Sequence, residues 1–214
     1  MRDFPFFTTD YGIASLILKE IPYRQEAFIG IRDVQENFFQ EHLTECVSFC
    51  RMAGAQRIYA AGHKKLEEFP LYTKVLKMQG KAWVDPEKEA NLFPVTEDTA
   101  SHWRQIYNTA FARVDNASTL ERRDEEKLIA GCGAYFVHDC GTLLGIGWVE
   151  DNVLLALASV KKGCGDRVLH TLMSRMEGEQ MTLEVASTNH KAIQLYERLG
   201  FLTVEEVSAW YQVG

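Results

Sequence analysis

Two stretches of the chain carry residue types that could do chemistry. The first is Lys162-Gly163-Cys164-Gly165-Asp166-Arg167, where paired glycines join an apolar run to a helical pattern. Glycines there let backbone N–H groups turn toward an anion, and the following helix N-terminus adds partial positive charge. Such a turn suits a diphosphate, and it equally serves any strand-to-helix connection. The second stretch, "NHKAIQLYERLGF" (189–201), reads as a short amphipathic helix with Asn189 as its N-cap and Gly200 as its stop. Tyr196 lies at helical spacing from Ala192, as a core aromatic or as a phenol turned to a ligand.

A dinucleotide fold would use the same glycine device. It needs a third glycine at position 168, where Val168 stands. Glu184 lies at about the right distance beyond for a ribose contact, but it falls within a strand and not at its end. Three antiparallel-looking strands also precede the loop, so the dinucleotide reading fails. A further cluster, His42, Cys46 and Cys50, falls at i, i+4 and i+8 of an expected helix. That pattern occurs in metal sites. Cysteines are also common on buried helix faces, and no fourth ligand lies nearby, so no metal is expected.

The elements that must position these residues fall into two halves. "ASLILKEI" and "EAFIGIRDV" read as strands joined by the turn "IPYRQ". "NFFQEHLTECVSFCRMAG" has helical spacing at Phe38, Phe39, Leu43, Val47 and Met52, with Gly54 as its stop. "RIYAAG" reads as a strand, "LEEFPLYTKVLKMQG" as a helix and "KAWV" as one more strand. The polar, proline-bearing "DPEKEANLFPVTEDT" marks a boundary, placed between halves 1–88 and 89–214. The second half begins with a strand near Phe93. A helix over "ASHWRQIYNTAFARV" and a charged second helix or loop over "RRDEEKLIAG" follow, then strands "GAYFVHD", "LLGIGWVED" and "VLLALASV" with "CGT" and "DN" as hairpin turns. A helix from the glycine turn, the strand "MTLEVAS", the helix of the second stretch and the C-terminal "FLTVEEVSAWYQV" complete it. The first half resembles the later part of this plan, as a degenerate internal duplication.

The chain has 214 residues and a net charge of −7, with no Lys/Arg run, so nucleic acid is not an expected partner. No apolar run approaches the roughly 20 residues of a membrane span. The start "MRDFPFFTTDYG" is not a secretory signal. Five cysteines without a CxxC pair point to reduced thiols in the cytoplasm.

Taken together, the glycine turn and "LEVASTNHKAIQLYERLGF" resemble the acyl-CoA site of the GNAT acetyltransferase superfamily, through Val185, Asn189, Ala192, Leu195, Tyr196, Gly200 and Phe201. The resemblance covers about residues 91–214 and faintly the first half. It implies an α/β (α+β) fold, with a mixed, mainly antiparallel sheet flanked by helices, in tandem with a truncated N-terminal repeat. The family loop usually has Arg or Gln at the position held here by Val160, and Lys161 or Lys162 would supply the charge. The first half has "GIRDVQENFF" where a glycine loop would stand, so it is not expected to bind coenzyme A.

The resemblance further implies acetyl transfer from acetyl-CoA to a primary amine of a small molecule or peptide, by direct attack and without a metal. A lysine-like amine has a pKa near ~10.4, so presenting it neutral at pH 7 costs about 4–5 kcal/mol. A base, or a water chain to a carboxylate, must take its proton. Glu150 is the candidate, with Asp151 and Glu184 as alternatives. The strand before the loop is expected to part from its neighbour, and the backbone of Leu157, Ala158, Ser159 and Val160 to face pantetheine and the thioester carbonyl. Lys162, Gly163, Cys164, Gly165, Asp166 and Arg167 would hold the diphosphate. Asn189 and Tyr196 would close the site, with Tyr196 donating to the departing thiolate. The alternative is a non-catalytic acyl-CoA-binding or interaction module on the same fold. Trp103, Tyr107 and Phe111, at helical spacing, are expected to pack in the core or to line an acceptor pocket.

Overall fold

The computed structural model describes residues 6–81, 88–131, 133–176, 178 and 180–214. Its contacts divide the chain into two units. One is Met1–Lys74 with Val207–Gly214, and the other is Val75–Glu206. The boundary expected at 88/89 therefore falls inside the second unit.

The first unit opens with strands β1 (Phe6–Thr9) and β2 (Gly12–Ile17). The expected turn "IPYRQ" holds one helical turn, α1 (Ile21–Arg24), which closes at Gln25 with φ 58°. Then follow β3 (Glu26–Val34), α2 (Phe39–Met52) and β4 (Arg57–Ala61). Strands β1, β2 and β3 pair antiparallel, while β3 and β4 pair parallel. The C-terminal segment adds a further strand, with Tyr211 and Gln212 antiparallel to Ala60 and Tyr59.

Helix α2 buries Phe39, Leu43, Cys46 and Cys50 against Ile29, Ile31 and Ile58. That spacing is one helical face. His42 shares this interior, with its Nδ1 2.8 Å from Thr9 Oγ1. Burial raises the Cys46 thiol to about 12 and the Cys50 thiol to about 11, and lowers His42. Thiols held protonated in this way are poor metal ligands.

One expected helix is a strand. "LEEFPLYTKVLKMQG" holds a 3-10 turn, Lys64–Glu68, and then β5 (Leu71–Lys81). Pro70 lacks an N–H and disfavours helix in the residue before it. Beyond it, pairing to a neighbouring strand overrides the helical propensity of Leu, Lys and Met. Of the strand expected at "KAWV", Lys81 ends β5 and the rest lies outside the described residues.

The second unit takes β5 from Val75 onward. In chain order it adds β6 (Asn91–Pro94), α3 (Ala100–Phe111), α4 (Glu125–Ala130), β7 (Ala134–Asp139), β8 (Thr142–Glu150) and β9 (Val153–Ser159). It continues with α5 (Gly165–Met173), β10 (Gln180–Ala186), α6 (His190–Arg198) and β11 (Leu202–Gln212), the last as far as Glu206. This is the order expected from sequence. Strands β6 to β9 form an antiparallel meander, β9 meets β10 in parallel, and β10 pairs antiparallel with β5 from Val75 to Lys81.

The hairpin turns use left-handed residues, Cys140 (φ 47°) with Gly141 (φ 78°), and Asp151 (φ 50°). Helices α5 and α6 pack on one face of the sheet through Val168, Leu169, Leu172 and Tyr196, against Leu154, Met181 and Leu183. Helices α3 and α4 pack on the other through Trp103 and Leu128, against Phe136, Ile146 and Ala158. Gly80 of β5 leaves room for the Phe201 ring, which lies 2.7 Å from where a Cβ would stand.

Candidate active site

Strands β9 and β10 pair only at Val153↔Thr182 and Leu154↔Leu183, although β9 runs on to Ser159 and β10 to Ala186. The local cause lies in β9. Opposite β8, Leu154 faces Val149 and Ala156 faces Trp148, which leaves Leu155 as an extra residue. A bulge of this kind bends its strand and increases the twist. Beyond it, β9 keeps β8 and loses β10, which opens a wedge.

The backbone of this stretch divides into two sets. Val160 N–H donates to the Leu144 carbonyl at 2.9 Å. The alternation of an antiparallel ladder turns the N–H groups of Ala156 and Ala158 the same way, toward β8. It turns those of Leu157 and Ser159 into the wedge. Of the four residues expected to offer donors, Ala158 and Val160 are thus committed to the sheet, and Leu157 and Ser159 are not.

At the open end of the wedge the chain turns through Gly163, at φ 83°. A left-handed residue there orients successive amides into a concave cluster. Cys164 N–H bonds to Lys161, and the first helical bond runs from Val168 N–H to Cys164. Among the described residues, the N–H groups of Gly165, Asp166 and Arg167 have no acceptor, as at any uncapped helix start. A Cβ at Gly165 would stand 3.2 Å from Leu195, so this glycine lets α6 approach α5.

Side chains around the loop are tied laterally. Arg167 reaches Asp139 at 2.6 Å and holds its carboxyl below the usual range. Asp166 is paired with Lys88 at 2.9 Å. Lys161 and Lys162 are exposed. Asn189 caps α6 by accepting from Ala192 N–H at 3.3 Å. Tyr196 is buried beside Phe201, ring centroids 5.8 Å apart. Burial pushes its phenol well above the ordinary range, so it stays protonated.

Glu150 ends β8 and accepts a bond from the Trp148 indole at 3.1 Å. Asp151 shapes the β8–β9 turn. Glu184 is the first residue of β10 past its last pair with β9, exposed and opposite Lys77 of β5. Because Leu154 and Leu183 point into the α5–α6 core, their neighbours Val153, Thr182 and Glu184 point to the opposite face. Glu150, opposite Val153, shares that face. The fold therefore brings Glu150 and Glu184 to one side of the sheet, around the bulged Leu155.

Trp103 is buried and its indole donates to the Tyr135 carbonyl at 3.0 Å, while Tyr107 and Phe111 stack in series beside it. On the other flank of α3, a groove of about 390 Å³ lies between Gln105, Ile106, Thr109 and the β9 end at Ser159 and Val160. The Leu155 bulge has no signature in the sequence, since an extra residue is visible only against the register of its partner. Lys88 and Asp139 likewise meet the loop only through the fold.

Among the described residues, the first unit shows no such wedge. There β3 pairs with β4 at every residue from Glu26 to Gly30, and β4 ends with the last pair at Ala61. A 3-10 turn, Glu36–Phe38, precedes α2 in place of a glycine loop. Among the described residues, no group of three or more His, Cys, Asp or Glu could hold a metal ion, and no helix is long and apolar enough to cross a membrane.

The wedge, its amide cluster and the capped α6 form one arrangement, and comparison with known proteins bears on it. No curated protein matches the chain. A putative acetyltransferase from Pyrococcus horikoshii superposes with TM-score 0.59 at 13% identity, covering 95% of this chain and 69% of that one. A functionally unknown conserved protein from Staphylococcus epidermidis gives TM-score 0.61 at 12% identity, covering 99% and 94%. A tandem GNAT protein from the clavulanic acid biosynthesis pathway gives 0.53 at 14%, covering 95% and 79%. At these identities the likeness is one of fold. The sequence profile of the Acetyltransferase (GNAT) family matches residues 81–201, more than half the chain, and the protein belongs to that family.

Proposed function

We propose that the protein is an N-acetyltransferase that passes an acetyl group from acetyl-CoA to a primary amine by direct attack. One observation carries this reading: β9 and β10 part after Leu154, and β9 then leads straight into the Gly163 amide cluster. The residues fit the co-substrate. A glycine with positive φ and three uncommitted helix amides suit a diphosphate. The wedge N–H groups of Leu157 and Ser159 suit an extended, amide-bearing pantetheine arm.

When bound, acetyl-CoA supplies an activated acyl thioester. Everything else falls to the chain. An N–H in the wedge donates to the thioester oxygen as negative charge builds on it. Glu184, at the point where the strands part, takes the amine proton directly or through one water, with Glu150 the second carboxylate on that face. Tyr196 stays neutral and donates a hydrogen bond to the departing sulfur. Full proton transfer from an ordinary phenol to such a thiolate is already uphill by roughly 2 kcal/mol, and burial raises that further.

A second reading, an acyl-CoA-binding module without turnover, is favoured by Val160, an apolar residue at a loop position where the family usually carries charge. A thiol-release assay over amines, amino acids and peptides, with mass spectrometry of products, separates the two. Release that depends on the amine, with a product heavier by one acetyl group, supports the enzyme. Saturable acetyl-CoA binding without release supports the module.

A further inference from the structure

Asp166 lies in the first turn of α5, where a carboxylate is favoured by the helix N-terminus and can accept from its free N–H groups. It would then occupy the amides that our proposed function gives to the diphosphate. It does not do so here. Among the described residues no side chain caps α5, and the Asp166 carboxylate is turned along the helix flank. Its Oδ2 lies 2.9 Å from Lys88 Nζ, and its Oδ1 faces His170 Nε2, one turn on, at 3.4 Å.

The Lys88 segment is fastened to that flank at two more points. Arg167 Nε donates to the Lys88 carbonyl at 3.3 Å, and Ala90 N–H donates to Thr171 Oγ1 at 3.0 Å. Arg167 is meanwhile held by Asp139. A strap from outside the glycine loop thus draws the one acidic side chain of the loop-to-helix turn away from the amide cluster and balances its charge.

We propose that Lys88 is a positioning residue for coenzyme A, acting through Asp166: it keeps the competing carboxylate off the diphosphate amides. The proposal rests on the acetyl-CoA reading above. It also accounts for a turn that has both Val160 at its first position and an acid at its helix start, since two departures from a cationic loop are offset by a lysine recruited from elsewhere.

The test is calorimetric titration of coenzyme A, with no acceptor and no turnover, into the full chain and its variants, with thermal midpoints measured alongside. Lys88→Gln should weaken binding by roughly fivefold, the scale of a one-charge effect at a helix N-terminus. Lys88→Arg should retain affinity. Asp166→Asn should bind at least as tightly as the parent, and adding it to Lys88→Gln should restore affinity. Unchanged affinity in Lys88→Gln overturns the proposal. So does a loss that Asp166→Asn fails to rescue, because that marks the strap as merely structural. A parent protein that does not bind coenzyme A at all overturns the acetyl-CoA reading itself, an outcome distinct from either.

Discussion

Glu184 and Tyr196 are the residues on which the proposed chemistry turns, and their surroundings give them different work. Glu184 is exposed, one residue past the last β9–β10 pair, and suited to take a proton. Glu184→Gln should lower kcat by about 10²-fold or more, the usual scale for a lost general base, and leave the acetyl-CoA Kd unchanged. Part of the loss should return as pH rises, because the acceptor then arrives deprotonated. Glu150→Gln, whose carboxylate is bonded to the Trp148 indole, should change kcat far less; stopped-assay kinetics on both variants decide which acid is the base. Tyr196 is neutral throughout the working range because burial raises its phenol. Tyr196→Phe should therefore lower kcat by roughly three- to tenfold, the worth of one hydrogen bond, without altering the shape of the pH–rate profile. Equal losses in kcat and acetyl-CoA affinity would count against the role of donor.

At the scale of elements, the helix and hairpin signals were legible and the pairing was not. The spacing of Val168, Leu169 and Leu172, the Asn189 cap and the turns at Cys140-Gly141 and Asp151 are local chemistry, and each stands where the sequence put it. β5 carries a helix signal in its Leu, Lys and Met, and nothing local tells that Val75–Lys81 will find β10. The Leu155 bulge is hidden for the same reason. Glycine-dependent close approaches give a direct check. Gly80→Ala would drive a methyl into the Phe201 ring and should cost about 1–3 kcal/mol in chemical denaturation. Gly163→Val faces no steric neighbour but must hold a left-handed backbone, at a cost of roughly 1–2 kcal/mol. In that variant coenzyme A affinity should fall more than stability does.

For the whole molecule, the contact units follow neither half of the sequence cleanly. Residues 207–214 belong with the first unit, where Val213 N–H bonds to Ile58 and Gln212 N–H to Pro70. The return of the C-terminal strand to the first unit was not legible in the sequence, because a strand signal does not name its partner. Truncation after Glu206 should therefore strip hydrogen-exchange protection from Ile58 and Ala60, whose N–H groups face the C-terminal strand, and spare Arg57, whose N–H bonds to Gln25.

The buried thiols of that unit set an alkaline limit. Their folded pKa values, about 12 for Cys46 and about 11 for Cys50, lie above the ordinary 9.0, so the unfolded chain loses these protons first. Stability is then fully present below pH 9 and falls as pH rises toward the folded values, by at most about 1.4 kcal/mol per pH unit for each thiol. Thermal midpoints from pH 8 to 10.5 should show this decline, and Cys46→Ala should flatten it while lowering the baseline through the cavity it leaves.

The wedge beside the Gly163 amides is the centre of the account, and hydrogen exchange with and without acetyl-CoA tests it most directly. Slowed exchange at Leu157, Ser159 and Gly163–Arg167, with the first-unit segment from Gly30 to Phe39 unchanged, is the expected result. No change at those amides, or protection confined to the first unit, would contradict it.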